Sequence, residues 1–197
     1  MPSERWENHG QMASTKRVWN ETVLPQISLK QFRNNTAYIG QDLHFFNRTI
    51  RENLLLANPF ANDDQIKISL ITARVWNEVK DLPDGVDTMF TPDLLKNTSN
   101  YFLVKLCVAR VYIKNARFII VDELPFSFLN SPDGKAFYET LRSWKGSRTI
   151  FVVTYREDYL RLADQVFHLR AGKYVNVYKP DEFLDKMYDN VGAKNVA

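Results

Sequence analysis

The chain has 197 residues, enough for one good-sized domain and short for two. Hydrophobic residues make up 45% of it and aromatics 13%, which excludes a chain disordered throughout. The formal net charge of +3, from 26 basic and 23 acidic residues, is too mild to call for a nucleic-acid partner.

Cys107 is the sole cysteine and lies in an apolar helical stretch. It reads as a small core residue in a reducing compartment, not a disulfide partner or metal ligand. His9, His44 and His168 are scattered, without metal-ligand spacing. No apolar run approaches the ~20 residues that a membrane-spanning helix needs. The opening residues, MPSERWENHGQMASTKR, hold no apolar stretch and are expected not to form a secretory signal.

Residues 1–20 are polar, with Trp6 and Trp19 as isolated anchors, and read as an extension. SLKQFRN predicts a short helix and TAYIG a strand. A polar loop then enters a helix with Thr49 as N-cap and Glu52 three residues on, a capping box. Asn62-Asp63-Asp64 caps a second helix, predicted to run unbroken through DQIKISLITARVWNEV. LPDG at 82–85 is a turn. A long helix is predicted from about Ser99 to Ile113, then a buried strand FIIV, then a helix at 131–144 that follows Asn130-Ser131-Pro132. Residues 148–154 predict a second buried strand, REDYLRLA a short helix, and VFHLRAGKYVNVY a hairpin turning at Ala171-Gly172-Lys173. PDEFLDKMYDN closes the series as an amphipathic helix. Strands alternating with helices from residue 118 onward predict an α/β fold with a parallel sheet. The strand-free stretch over about 49–97 predicts an inserted helical subdomain.

The strand FIIV ends in two adjacent acids, Asp122 and Glu123. In nucleotide hydrolases such a strand end holds Mg²⁺ and aims a water at a phosphate. Those enzymes also need the loop G-x-x-x-x-G-K-[ST], whose backbone amides cradle phosphates. None of the seven glycines in this sequence belongs to such a loop.

The ordered series IGQD, FNRTIREN, LPDGVDT, VAR, FIIVDE, TIFVVTYR and ADQVFHLRAGKY resembles the nucleotide-binding domain of ABC transporters, the exporter type in particular. The match covers roughly residues 23–178. It implies a truncated RecA-like P-loop NTPase core with an inserted helical subdomain at about 49–115, inside one domain over 21–197. By the resemblance, Gln41 matches the Q-loop glutamine, Asp122 the Walker B aspartate and Glu123 the catalytic glutamate. Tyr155 stands where the family has its switch histidine, and residues 42–53 match the surface that docks on a membrane-domain helix.

Four departures argue against activity. The phosphate loop is missing, although in the family it precedes the Q-loop by about as many residues as precede Gln41 here. The first strands and the adenine-stacking aromatic are expected to be absent with it. The signature LSGGQ is replaced by Thr98-Ser99-Asn100-Tyr101-Phe102, and an aromatic there is expected to block the close backbone approach that glycine permits. Tyr155 removes a group able to carry positive charge near neutral pH. The small-residue D-loop has become Leu124-Pro125-Phe126-Ser127-Phe128-Leu129. Phosphate-clamping groups are worth about 10³-fold or more in rate, so unaided hydrolysis is expected to be undetectable.

Each candidate also has a plainer reading. Asp122 and Glu123 are retained carboxylates satisfied by loop amides or a lysine, without metal. Gln41 is a relic or loop hydrogen-bonder. His44, Phe45 and Phe46 are core or a partner-docking surface. Phe126, Phe128 and Leu129 are buried packing or a repurposed apolar interface. Lys67, Arg74, Lys80, Lys96, Lys105 and Arg110 are mostly solvated faces.

The sequence thus leads to an expectation of a catalytically inactive ATPase-like subunit, not an enzyme, with Gln41, Asp122, Glu123 and Tyr155 vestigial. No ATP, Mg²⁺ or other cofactor is expected. It would serve a protein assembly through His44, Phe45, Phe46, Phe126, Phe128 and Leu129. An integral membrane protein is a candidate partner, and nucleic acid is not. The expected setting is the cytoplasmic face of a membrane or a mitochondrial matrix or inner-membrane complex. The alternative is an ATP-binding subunit of an ABC transporter, either a regulatory half or a split domain completed by a partner chain that supplies the phosphate loop.

Overall fold

The computed structural model describes residues 28–192, with the backbone alone for 189–192 and for two short strands before residue 28. The chain divides into two compact units, Met1–Asn34 and Asn35–Ala197. Most of the expected extension over residues 1–20, Trp6 included, lies outside the described residues.

In the first unit, β1 (Val18–Trp19) pairs antiparallel with β2 (Thr22–Val23). Helix α1 (Leu29–Asn35) follows. It begins at a reciprocal pair in which the Gln31 amide donates to Ser28 Oγ and the Ser28 amide donates to Gln31 Oε1, each at 3.1 Å.

The second unit is built on a three-stranded parallel sheet in the order β3 (Thr36–Ile39), β4 (Phe118–Asp122), β5 (Thr149–Val153). Parallel neighbours need a crossover between them. The β3–β4 connection carries five helices: α2 (Ile50–Leu55), α3 (Asp63–Thr72), α4 (Trp76–Lys80), α5 (Pro92–Asn97) and α6 (Asn100–Lys114). The β4–β5 connection carries α7 (Phe126–Leu129) and α8 (Pro132–Trp144). After β5 come α9 (Glu157–Leu162), the antiparallel hairpin β6 (Val166–Arg170) and β7 (Lys173–Tyr178), and α10 (Pro180–Gly192). Ala171 and Gly172 both take positive φ at the hairpin tip, the left-handed pair that a two-residue turn matched to strand twist requires.

Alternation along the strands decides what the sheet covers. Ala37, Ile39, Ile119 and Val121 point into the core and are at most 2% exposed. The core's centre is α6, whose Leu103, Val104, Leu106, Val108, Val111 and Ile113 are buried. Each such side chain contributes about 1.5–3 kcal/mol on burial. The opposite sheet face carries Tyr38, Phe151 and Val153, all exposed.

The capping boxes at Thr49–Glu52 and Asn62–Gln65 are present. The unbroken helix predicted after Asn62 is not. Arg74 sits at φ 57, and the chain stops α3 with the Val75 amide donating to Leu70 O and the Arg74 amide to Ile71 O, both at 2.9 Å. This is a Schellman stop, and its apolar clasp is Leu70 with Val75, both 0% exposed. Burying Val75 outweighs the cost of placing a non-glycine residue in the left-handed region.

Candidate functional site

The carboxyl ends of parallel strands are where open α/β sheets place their ligands. Here three strand ends converge. Residues Ile39↔Val121 and Asp122↔Val153 are paired across the ladder, so Gln41, Asp122–Glu123 and Tyr155 emerge from neighbouring strand tips. Glu123 leaves β4 at φ 49, a left-handed turn that costs a non-glycine residue about 1–2 kcal/mol. The turn separates the two carboxylates. Asp122 Oδ2 accepts from the Tyr38 hydroxyl at 3.2 Å, while Glu123 Oε2 accepts from Gln41 Nε2 in a short hydrogen bond. Asp122 is half-buried and Glu123 exposed. Partial desolvation, then the Asp122 hydrogen bond, pushes the Tyr38 hydroxyl above its ordinary range. Tyr155 is 84% exposed.

Among the described residues no three His, Cys, Asp or Glu side chains gather as a metal cage. A carboxylate pair beside an amide suits Mg²⁺, which binds through one or two carboxylates and takes its other ligands from phosphate and water. The donor types therefore fit that ion, which Asp122 and the Gln41 amide oxygen would hold.

The loop after Glu123 was expected to be an apolar D-loop surface. It forms instead a single helical turn, α7, packed on the start of α8. Phe128 is 1% exposed, with its ring 5.9 Å from Tyr101 and 6.3 Å from Phe137. Phe128 is therefore core and not a partner contact, Leu129 is half-buried against the same core, and Phe126 stands 73% exposed. Gly134 makes the packing possible. A Cβ there would meet Phe128 O at 2.1 Å and Leu129 Cα at 2.8 Å.

The residues that replace the signature are engaged within the protein. Ser99 caps α6 by accepting from the Phe102 amide at 3.2 Å. Tyr101 turns its side chain to α8, donating to Asp133 Oδ2 at 2.7 Å. Lys105 completes the cluster. It is 3% exposed, donates to Arg74 O at 3.2 Å, pairs with Glu78, and lies 3.7 Å from Asp133 Oδ2. The expected solvated lysine is thus a buried ion-pair centre.

Arg110 departs from expectation in the same way. Its guanidinium donates to His44 O at 2.7 Å, Asn53 O at 3.2 Å and Asn53 Oδ1 at 2.8 Å, and stacks 4.2 Å from the Phe45 ring. Asn53, 1% exposed, also holds Phe46 through both its amide and its carbonyl at 3.0 Å. Phe45 packs edge-on against Phe90 at 5.0 Å. Of the three loop candidates, Phe45 is thus turned toward the core, and His44 and Phe46 are presented outward on a stitched loop. Burial pushes the neighbouring Cys107 thiol up to about 11, leaving it unreactive.

Sequence reasoning gave no role to Tyr38, Gly40 and Asn53, and read Lys105 and Arg110 as mostly solvated. Two of these had a signal: Lys105 and Arg110 lie inside the apolar run of α6, with Leu106, Cys107 and Ile113 as neighbours.

No protein-family description matches the chain. A probable ABC transporter ATP-binding/permease protein of Haemophilus influenzae is 32% identical over 154 residues, 78% of this chain and 28% of that protein. An ATP-dependent lipid A-core flippase of Burkholderia pseudomallei is 29% identical over 164 residues, 83% of this chain and 27% of that protein. A bacterial Atm1-family ABC exporter solved with ATP bound superposes with a TM-score of 0.75 at 21% identity, over 90% of this chain and 31% of that one. The chain belongs to the exporter-type nucleotide-binding domains of ABC transporters. Its fold is the RecA-like core with helical insert that the resemblance implied. The chain spans 28% of the length of the Haemophilus relative.

These relatives overturn two expectations. The chain was expected not to be an enzyme and to take no ATP or Mg²⁺. Its relatives are described as ATP-binding and ATP-dependent proteins, and the matching exporter holds ATP. Among the described residues no helix is long and apolar enough to cross a membrane.

Proposed function

We propose that this chain is the ATP-binding, ATP-hydrolysing part of an exporter-type ABC transporter, with its phosphate-cradling loop supplied by polypeptide outside these 197 residues. The observation that carries the reading is the pair of hydrogen bonds at the strand ends, Gln41 to Glu123 and Tyr38 to Asp122. These bonds bring the Q-loop amide and the adjacent carboxylate together at the exposed strand ends, as a working site requires.

In this reading Asp122 and Gln41 hold Mg²⁺. The bound ion supplies charge neutralisation at the phosphoryl oxygens. Glu123, turned out of β4 by its left-handed backbone, orients a water and accepts its proton. Gln41 fixes the Glu123 carboxylate through its Nε2. The exposed Tyr155 phenol offers a neutral hydrogen-bonding group at the third strand tip.

The membrane partner follows from the stitched loop at 42–53. His44 and Phe46 face outward while Arg110 and Asn53 fix the backbone beneath them. Such a rigid, partly apolar platform suits a short helix of a membrane subunit. On that reading the chain works at the cytoplasmic face of a membrane.

The test is purification of the assembly from its native source, followed by calorimetry with Mg²⁺–ATP. A multi-span protein should co-purify, and the assembly should bind ATP. An assembly with no membrane protein and no ATP binding would remove the proposal.

A further inference from the structure

The contact between Tyr38 and Asp122 is not forced by packing. Tyr38 lies on the sheet face away from the core and is 60% exposed. A strand side chain normally stands roughly perpendicular to its sheet. This one leans along β3 over the next residue but one. A Cβ at Gly40 would fall 2.5 Å from the Tyr38 hydroxyl oxygen and 2.8 Å from its Cε1. Gly40 is not in the left-handed region, so its backbone conformation does not call for glycine. The space above it does. In the ladder Tyr38 pairs with Ile120, so Asp122 is its diagonal neighbour on the same face. That diagonal is within reach of an aromatic side chain.

We propose that Tyr38 is a latch on Asp122. Its hydroxyl occupies Oδ2, one of the two carboxylate oxygens open to a divalent cation, and so competes with it, and Gly40 is the residue that lets the ring lie there. The latch rests on reading the strand ends as a Mg²⁺–ATP site. At rest both carboxylates are held from the β3 side, Asp122 by Tyr38 and Glu123 by Gln41. A cation arriving with nucleotide displaces the phenol, and the released ring swings off Gly40. Metal arrival is thereby coupled to a movement on the otherwise open face of the sheet. Tyr38 is a positioning residue and takes no part in proton transfer.

The test uses Mn²⁺ alone as probe, counted by the loss of its free-ion electron paramagnetic resonance signal, on the full chain and three variants. Asp122→Asn should abolish the site. Tyr38→Phe removes the hydroxyl and should bring half-saturation to roughly threefold to tenfold lower Mn²⁺, the worth of one competing hydrogen bond. Gly40→Ala pushes the flexible ring aside and should shift it in the same direction. Circular dichroism establishes that each variant is folded. Unchanged or weaker Mn²⁺ binding in Tyr38→Phe, or no Asp122-dependent binding in any of the proteins, overturns the latch. A change in thermal midpoint without a change in Mn²⁺ binding marks Tyr38 as structural only and also overturns it. Tighter Mn²⁺ binding in both variants alongside absent ATP binding in the assembly would sink the nucleotide reading and leave the latch standing.

Discussion

The strand ends and the α6–α8 junction are built on opposite plans. At the strand ends, Asp122 and Glu123 are each held by one side-chain hydrogen bond, and Tyr38 is 60% exposed. At the junction, Tyr101, Asp133 and Lys105 form a closed cluster beneath Phe128, and Gly134 lets two backbones meet. The first region can change partners cheaply and the second cannot. Chemistry needs groups that exchange protein contacts for metal, water and phosphate, so it belongs in the first. The junction fixes where α6 begins, and so what that helix N-terminus presents.

The comparison is broken most severely at Lys105. Lys105→Ala removes the buried cation between Glu78 and Asp133, leaving Asp133 to Tyr101 and Arg74, and should cost ~3 kcal/mol of stability by denaturant unfolding, the low end of the range for a broken buried pair because Glu78 stays 47% exposed. Gly134→Ala comes next. Its Cβ would have to displace backbone at Phe128 and Leu129, an overpacking worth about 1–3 kcal/mol. An unchanged midpoint in either variant would mean the junction is not the rigid region. Smallest is the surface bridge from Arg51 to Asp87 and Asp63. Arg51 holds the Asp87 carboxyl below its ordinary value of 3.8, chiefly by hydrogen bonding. A depressed carboxylate stabilises the fold above its unfolded value and loses that contribution as pH falls through its folded value. Arg51→Ala should therefore cost about 0.2–1 kcal/mol at pH 7 and nothing once the pH is well below 3.8, read from unfolding curves at the two pH values.

How legible each region was follows the same division. Periodicity and caps gave the framework: Thr49–Glu52 and Asn62–Gln65 close their capping boxes, Ser131 with Pro132 opens α8, and FIIV and TIFVV are neighbouring parallel strands. The break at Arg74 escaped because no glycine marks it. The stop is set by Leu70 and Val75 meeting in the core, a tertiary demand. Lys105 and Arg110 looked solvated because their charge outweighed their place in the apolar run of α6, and the groups that receive them come from distant parts of the chain. LPFSFL read as buried packing or as an interface because apolar composition does not say which of Phe126 and Phe128 faces inward; that depends on how α7 meets α8, where Gly134 allows close backbone approach.

Motif order singled out Gln41, Asp122 and Glu123, and the structure brings Gln41 and Glu123 together at the strand ends. The expectation of an inactive domain rested on a missing phosphate loop together with the replaced signature, Tyr155 and the apolar 124–129 loop, and an absence within a stretch of sequence does not establish what completes the site. Kinship with ATP-dependent exporters supplied the counterweight.

The most direct measurement is ATP turnover by the native assembly carrying Glu123→Gln, which keeps the side chain's size and removes its basicity. Loss of a positioned general base should lower hydrolysis by about 10²-fold or more, with ATP binding retained. Turnover at the wild-type rate would contradict the account, because the carboxylate that Gln41 holds would then have no part in the reaction.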